Sequence, residues 1–249
     1  MQASALARRS TIQLMRNAVI KAVCFDLHNT LAYYEPPREK VYAKACRESS
    51  IEIEPTALYQ PLLDADAFWR EENSRSPVGK RPKAEQMVAY IEYATRVFRG
   101  AGLELDPKLV PQILTKVQQI GLTFKPYDDV LSILKLLKSR NLILGVISNV
   151  GEDIVAICRR LGLEPYLDFY VTSFEVGSDK PRPGIFLAAL EKAQVKPVEA
   201  IYVGDQYDLD VIGARGVGIK AVLLDRSDSF PSITDCPRIR TLAEIVSYL

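Results

Sequence analysis

The chain has 249 residues, enough for one large or two modest domains with a proper core. Hydrophobic residues make up 48% and charged residues 25%, with 32 basic against 31 acidic side chains, an ordinary globular balance. This excludes a global field for nucleic acid or an anionic membrane, and no apolar run approaches the roughly 18 residues that span a bilayer.

Residues 1–19 read as an N-terminal extension. The opening stretch carries Arg8, Arg9, Arg16 and Lys21 and no acid, a composition shared with organelle transit peptides, but it lacks the continuous apolar segment of a secretory signal. A ragged extension, or a start codon placed too early with Met15 just before the first strand, is the simpler reading, and a cytoplasmic location goes with it. The run IKAVCFDL (20–27) is almost continuously apolar, as a strand buried on both faces of a parallel sheet should be. It ends at Asp26, followed by His28, the chain's single histidine, and Thr30.

Residues 35–125 show helical spacing and no convincing strand, in REKVYAKACRESS, TALYQPLLDADAFWREE, KAEQMVAYIEYATRVFRGAG and PKLVPQILTKVQQIG. Pro55, Pro82 and Pro107 fall near helix starts, where proline is tolerated. RSPVGKRPK (75–83) reads as a solvated loop. Both ends of this stretch, YYEPP (33–37) and FKPYDD (124–129), contain proline and suit hinges.

From residue 126 strands and helices alternate. Helices are expected over 128–140, 152–161, 183–194 and 208–216, and strands in LILGVIS (142–148), DFYVTS (168–173), AIYVG (200–204) and IKAVLL (219–224). FPSITDCPRIR (230–240) reads as a terminal loop. The alternation predicts an α/β fold, a doubly wound parallel sheet built from 20–34 and 126–249 and interrupted by an all-helical insert at 35–125. Cys24, Cys46, Cys158 and Cys236 form no CxxC pair and read as buried thiols of a reducing compartment.

In open α/β sheets, ligands bind beyond the carboxyl ends of the strands. Those ends carry Asp26 with His28 and Thr30, then Ser148 and Asn149, then Lys180, then Asp205, Asp208 and Asp210. One polar residue at a strand end is usually turn chemistry; an acid, a hydroxyl, an amine and an acidic cluster from four ends are harder to explain so. Asp26 and Asp205 suit a hard cation such as Mg²⁺, which takes one or two carboxylates with water and phosphate oxygens. Ser148 and Lys180 suit the remaining anionic oxygens, with Asn149 orienting substrate or nucleophile. A carboxylate attacking phosphorus would split one displacement into two easier ones. Asp208 reads as a solvated helix residue.

With these motifs in order, the chain resembles the haloacid dehalogenase (HAD) superfamily over nearly its whole length. DLHNT stands for the family's DxDxT, Ser148 for its second motif, and Lys180 in KPRPGIF for its third. Gly204, Asp205 and Asp210 in GDQYDLD match GDxxxxD. The resemblance implies a Rossmann-like core and, in 35–125, a helical C1 cap that closes over the site and excludes water. It implies Asp26 as nucleophile and Mg²⁺ ligand, with the main-chain carbonyl of His28 as a second ligand. Asp205 would complete the metal site, and Asp210 would be an outer-shell or direct ligand. Ser148 and Lys180 would bind the phosphoryl group of a small phosphorylated metabolite, hydrolysed through an aspartyl-phosphate, and Lys180 would steady Asp26.

His28 departs from the pattern, because the family's phosphatases carry a second Asp there as acid and base. Imidazole, with an unperturbed pKa of about 6.5, is suited to proton transfer near neutrality. Three readings stand: a Mg²⁺-dependent phosphatase using His28; a slow or inactive phosphate-binding or regulatory protein; and a 2-haloacid dehalogenase, against which Asp205 and Asp210 argue. Tyr33, Tyr34, Trp69 and Arg70 are candidates for lining the closed site, with packing of Phe68 and Trp69 inside the helical bundle as the alternative.

Overall fold

The computed structural model describes residues 19–76, 78–149 and 153–249. The N-terminal extension lies outside the described residues, apart from residue 19, and so does the start of the helix expected at 152. Strand β1 (Ala22–Phe25) is buried at every position, as its unbroken apolar run requires. Among the described residues, the chain then forms β2 (Ala32–Glu35), four α-helices with a short 3₁₀ turn (Val78–Lys80), and β3 (Thr123–Pro126). It continues through β4 (Ile143–Ser148), β5 (Phe169–Thr172), β6 (Ala200–Gly204), β7 (Lys220–Leu224) and β8 (Arg238–Ile239).

Six strands make one sheet in the order β5-β4-β1-β6-β7-β8, with every pair parallel. From β1 the chain builds outward through β4 to β5, then returns to the other side of β1 with β6. The strand order therefore reverses between β1 and β6, the place where open α/β sheets leave a crevice. One sheet face packs Cys24, Ile147, Val171 and Tyr202 against Ile185, Phe186 and Ala189 of the helix Pro183–Ala193. The parallel α/β architecture is the expected one.

The chain divides into two compact units, residues 19–32 with Pro126–Leu249, and Tyr33–Lys125. The second contains the helices Arg38–Arg47, Pro55–Arg75, Lys83–Gly100 and Leu109–Ile120. Each presents apolar side chains at helical spacing to a shared core: Val41 and Ala45, Leu58 and Leu62, Ala94 and Phe98, Ile113 and Val117. Trp69 stacks on Tyr90 with centroids 5.0 Å apart and meets Tyr93 edge-on at 5.7 Å, while Arg96 lies 4.2 Å from the Phe68 ring centroid.

Three details differ from the sequence reading. The junction segments are strands and not plain hinges: β2 and β3 pair with each other, and the Tyr34 and Phe124 rings stack at 4.4 Å. The expected terminal loop contributes β8, which extends the sheet with Leu223 opposite Arg238. The helix expected at 208–216 opens as a π-helical turn, Tyr207–Val211, before the α-helix Ile212–Gly216. Among the described residues no helix is long and apolar enough to cross a membrane.

Candidate active site

The register of the sheet brings the motif residues to one end. Phe25 lies opposite Val146 on one side and Val203 on the other, and the Asp26 amide donates to the Val203 carbonyl at 2.9 Å. Asp26 therefore follows β1 between the ends of β4, which closes with buried Ser148, and β6, which runs into Asp205.

Lys180 ties the strand ends together. Its ammonium donates to Asp26 Oδ1 at 2.6 Å, to Asp210 Oδ1 at 2.7 Å and to the Tyr202 hydroxyl at 3.0 Å. Asp26, Lys180 and Asp210 are respectively 5%, 3% and 0% exposed, so these are desolvated ion pairs whose partners cannot be removed singly without leaving an uncompensated charge. Burial disfavours the ammonium charge, but Asp210 and Asp26 outweigh it and hold the Lys180 pKa above its usual range.

Asp210 is saturated by donors. Its Oδ1 also accepts from the Tyr202 hydroxyl at 2.9 Å, and its Oδ2 accepts from the Gln206 amide at 2.9 Å. The arrangement suits a residue that positions Lys180 better than one that ligates a metal directly. Gly204 is required by the same packing: a Cβ there would sit 2.3 Å from the Asp210 carboxyl carbon. Asn149, a candidate for orienting substrate or nucleophile, grips the main chain of Lys180, accepting from its amide at 2.8 Å and donating to its carbonyl at 3.2 Å. Asp208 is exposed, as expected.

Tyr202 is the participant missed by reading AIYVG as a plain apolar strand. It is fully buried, packs edge-on against Phe186 at 5.3 Å, and its hydroxyl pKa is pushed well above the usual value by burial and by Asp210 and Asp26. It therefore stays protonated, able to donate to Asp210 while accepting from Lys180. A strand tyrosine two residues before the Gly-Asp pair, amid otherwise aliphatic neighbours, was the available signal.

Two buried carboxylate oxygens, Asp26 Oδ2 and Asp205 Oδ1, have no hydrogen-bond partner among the described residues. Burial raises the Asp26 pKa to about 6, Lys180 opposes the rise, and Asp210 adds to it. Asp205 is raised well above its usual value by burial and by Asp26 and Asp210, with the Asn29 side chain acting the other way. Orphaned, mutually repelling carboxylate oxygens on neighbouring strand ends fit a hard divalent cation. Among the described residues no cluster of three or more His, Cys, Asp or Glu side chains forms a metal cage, so water, main chain and substrate would complete the shell.

His28 lies in the turn after β1. Leu31 and Ala32 amides both donate to the Leu27 carbonyl, at 3.0 and 2.9 Å, and His28 bridges to Ala32. Asn29 takes a left-handed φ of 59°, which asparagine tolerates better than most residues.

Comparison with known proteins identifies the family. A model of haloacid dehalogenase-like hydrolases covers residues 20–218. The chain belongs to the haloacid dehalogenase-like hydrolase family. It is 30% identical over 207 residues to haloacid dehalogenase-like hydrolase domain-containing protein 3 of Homo sapiens, covering 82% of each chain. It is also 30% identical over 216 residues to a glyceraldehyde 3-phosphate phosphatase of Methanopyrus kandleri, covering 84% of this chain and 85% of the relative. The crystal structure of a HAD phosphatase from Thermococcus onnurineus superposes with a TM-score of 0.56 at 26% identity, covering 92% of this chain and 97% of that one.

Proposed function

We propose that this HAD-like hydrolase is a Mg²⁺-dependent phosphomonoesterase that hydrolyses a small phosphorylated metabolite through an aspartyl-phosphate on Asp26. The carrying observation is the divided carboxylate of Asp26: Oδ1 is held by Lys180, and Oδ2 is buried without a partner among the described residues. Lys180 orients the carboxylate, whose two oxygens serve attack on phosphorus and the cation between them. As the bond between phosphorus and the leaving alkoxide breaks, His28 gives the alkoxide a proton; water then returns a proton to His28 and attacks phosphorus, releasing phosphate and restoring Asp26. Asp26, Asp205 and the main-chain carbonyl of His28 would hold Mg²⁺, which supplies charge neutralisation at the phosphoryl oxygens. Ser148 and Lys180 bind those oxygens, while Asn149 and Asp210 keep Lys180 in place.

The phosphatase-named relative supports a small phosphorylated substrate. Residues 35–125 serve as the cap, the source of specificity in this family, and four free thiols suit a cytoplasmic setting. The test is phosphate release from p-nitrophenyl phosphate with and without Mg²⁺. Wild type should show metal-dependent turnover, and Asp26→Asn should lower kcat by on the order of 10³-fold or more. Undiminished turnover in Asp26→Asn overturns the nucleophile assignment, and halide release from 2-chloropropionate in EDTA would favour dehalogenation.

A further inference from the structure

Arg226 follows β7 and belongs to none of the strand-end motifs, yet its guanidinium touches both segments where the chain leaves and re-enters the sheet unit. Nη1 and Nη2 donate to the two oxygens of Asp129, each at 3.0 Å, and Nη2 also donates to the Thr30 carbonyl at 3.0 Å. The guanidinium carbon lies 3.9 Å from the centre of the Tyr127 ring, and the Tyr127 amide donates to the Leu31 carbonyl at 3.2 Å. Asp129 is braced in turn by the Leu242 amide at 2.7 Å. Side-chain exposures of 18% and 22% leave the Arg226–Asp129 pair largely desolvated. A forked, charge-assisted contact of this kind fixes orientation as well as distance, and a planar guanidinium can stack on a ring while forking to a carboxylate, which an ammonium cannot do.

The other end of this contact is the turn that carries the chemistry. Residues 27–32 are closed on themselves by the bonds to the Leu27 carbonyl and by the Asn29 amide donating to the Ala32 carbonyl at 2.7 Å. Thr30, at the apex, is fully buried, and its carbonyl is the point at which Arg226 takes hold.

We propose that Arg226 is a positioning residue that clasps the Asp26–Ala32 turn through the Thr30 carbonyl and anchors it to Asp129 and Tyr127, fixing the main chain on which Asp26 and His28 sit. Its consequence for catalysis rests on the phosphatase reading; its consequence for the turn does not. Removing the guanidinium leaves the Thr30 carbonyl buried without its donor and lets the apex open, while β1 keeps its sheet bonds.

Amide hydrogen exchange of the metal-free protein reads this directly. In Arg226→Met, and independently in Asp129→Asn, the Leu31 and Ala32 amides should exchange about tenfold faster or more, the scale of one lost charge-assisted hydrogen bond, while the amides of Val23–Phe25 keep their protection. Arg226→Lys should fall between wild type and Arg226→Met. Val222→Ala, a destabilising control in β7, should leave the ratio of turn to β1 exchange unchanged. Unchanged turn protection in Arg226→Met, or equal loosening in Val222→Ala, would overturn the inference. If the phosphatase reading holds, Arg226→Met should also lower kcat on p-nitrophenyl phosphate about tenfold with KM within about twofold of wild type, because the lost contact orders the reacting groups and does not bind substrate. Should wild type release no phosphate, that reading fails, and the exchange result still decides whether Arg226 holds the turn.

Discussion

Proton transfer in the proposed reaction falls to His28, two residues beyond the attacking carboxylate. If imidazole carries the proton, His28→Ala should lower kcat for p-nitrophenyl phosphate about 10²-fold or more, since positioned acid–base groups contribute on that scale. Equal rates in wild type and His28→Ala would remove His28 from proton transfer and favour the slow phosphate-binding reading. A His28→Asp variant faster than wild type would mark the histidine as a brake. Asp26, Lys180 and Asp210 were legible in the sequence as candidates, because each is a charged residue in a segment that follows one of the apolar strands β1, β5 and β6. Tyr202 was not: a buried tyrosine in a β-run looks like core until its hydroxyl is found between Lys180 and Asp210. Asn149 stood out as a candidate, but nothing in the sequence says that its amide meets the main chain of Lys180.

Among the elements, the turn from β6 into the π-helical segment is built as one piece. Gly204 leaves the space that the Asp210 carboxylate fills, and the Gln206 amide, four residues before Asp210, donates back to it. Gly204→Ala should therefore destabilise the protein by about 1–3 kcal/mol in urea unfolding, the usual range for overpacking, and should also weaken Mg²⁺-dependent turnover by moving the partner of Lys180. Full stability in that variant would show that Asp210 relaxes freely. The apolar strands were readable because burial on both faces writes itself into the sequence. β2, β3 and β8 were not, having half-buried or exposed positions and prolines inside or beside them. Arg226 escaped because its partners lie 97 and 196 residues away.

At the scale of the whole molecule, the raised carboxylate pKa values make stability depend on pH and, on the proposed function, on metal as well. Asp26 titrates near 6 in the folded protein against an ordinary value near 4, so the native state binds this proton more tightly than the unfolded chain does. The resulting stability is complete below about pH 4 and is lost as pH rises through about 6. If Asp26 and Asp205 hold the cation as proposed, it competes with protons for these carboxylates, so Mg²⁺ should raise Tm more at about pH 7.5 than at pH 5. At roughly ten times its Kd the gain should be about 1.4 kcal/mol. Differential scanning calorimetry with and without Mg²⁺ would show this, and Asp26→Asn should remove most of the difference; an equal Mg²⁺ effect at both pH values would place the cation elsewhere. The pairing of β2 with β3, and the bond from the Tyr127 amide to the Leu31 carbonyl, have a separate consequence for engineering. The helical insert leaves and re-enters the sheet unit through adjacent points, so a short loop can join residues 31 and 127 without stretching the chain. The insert is thus a cassette, exchangeable for another of any length whose own termini lie side by side.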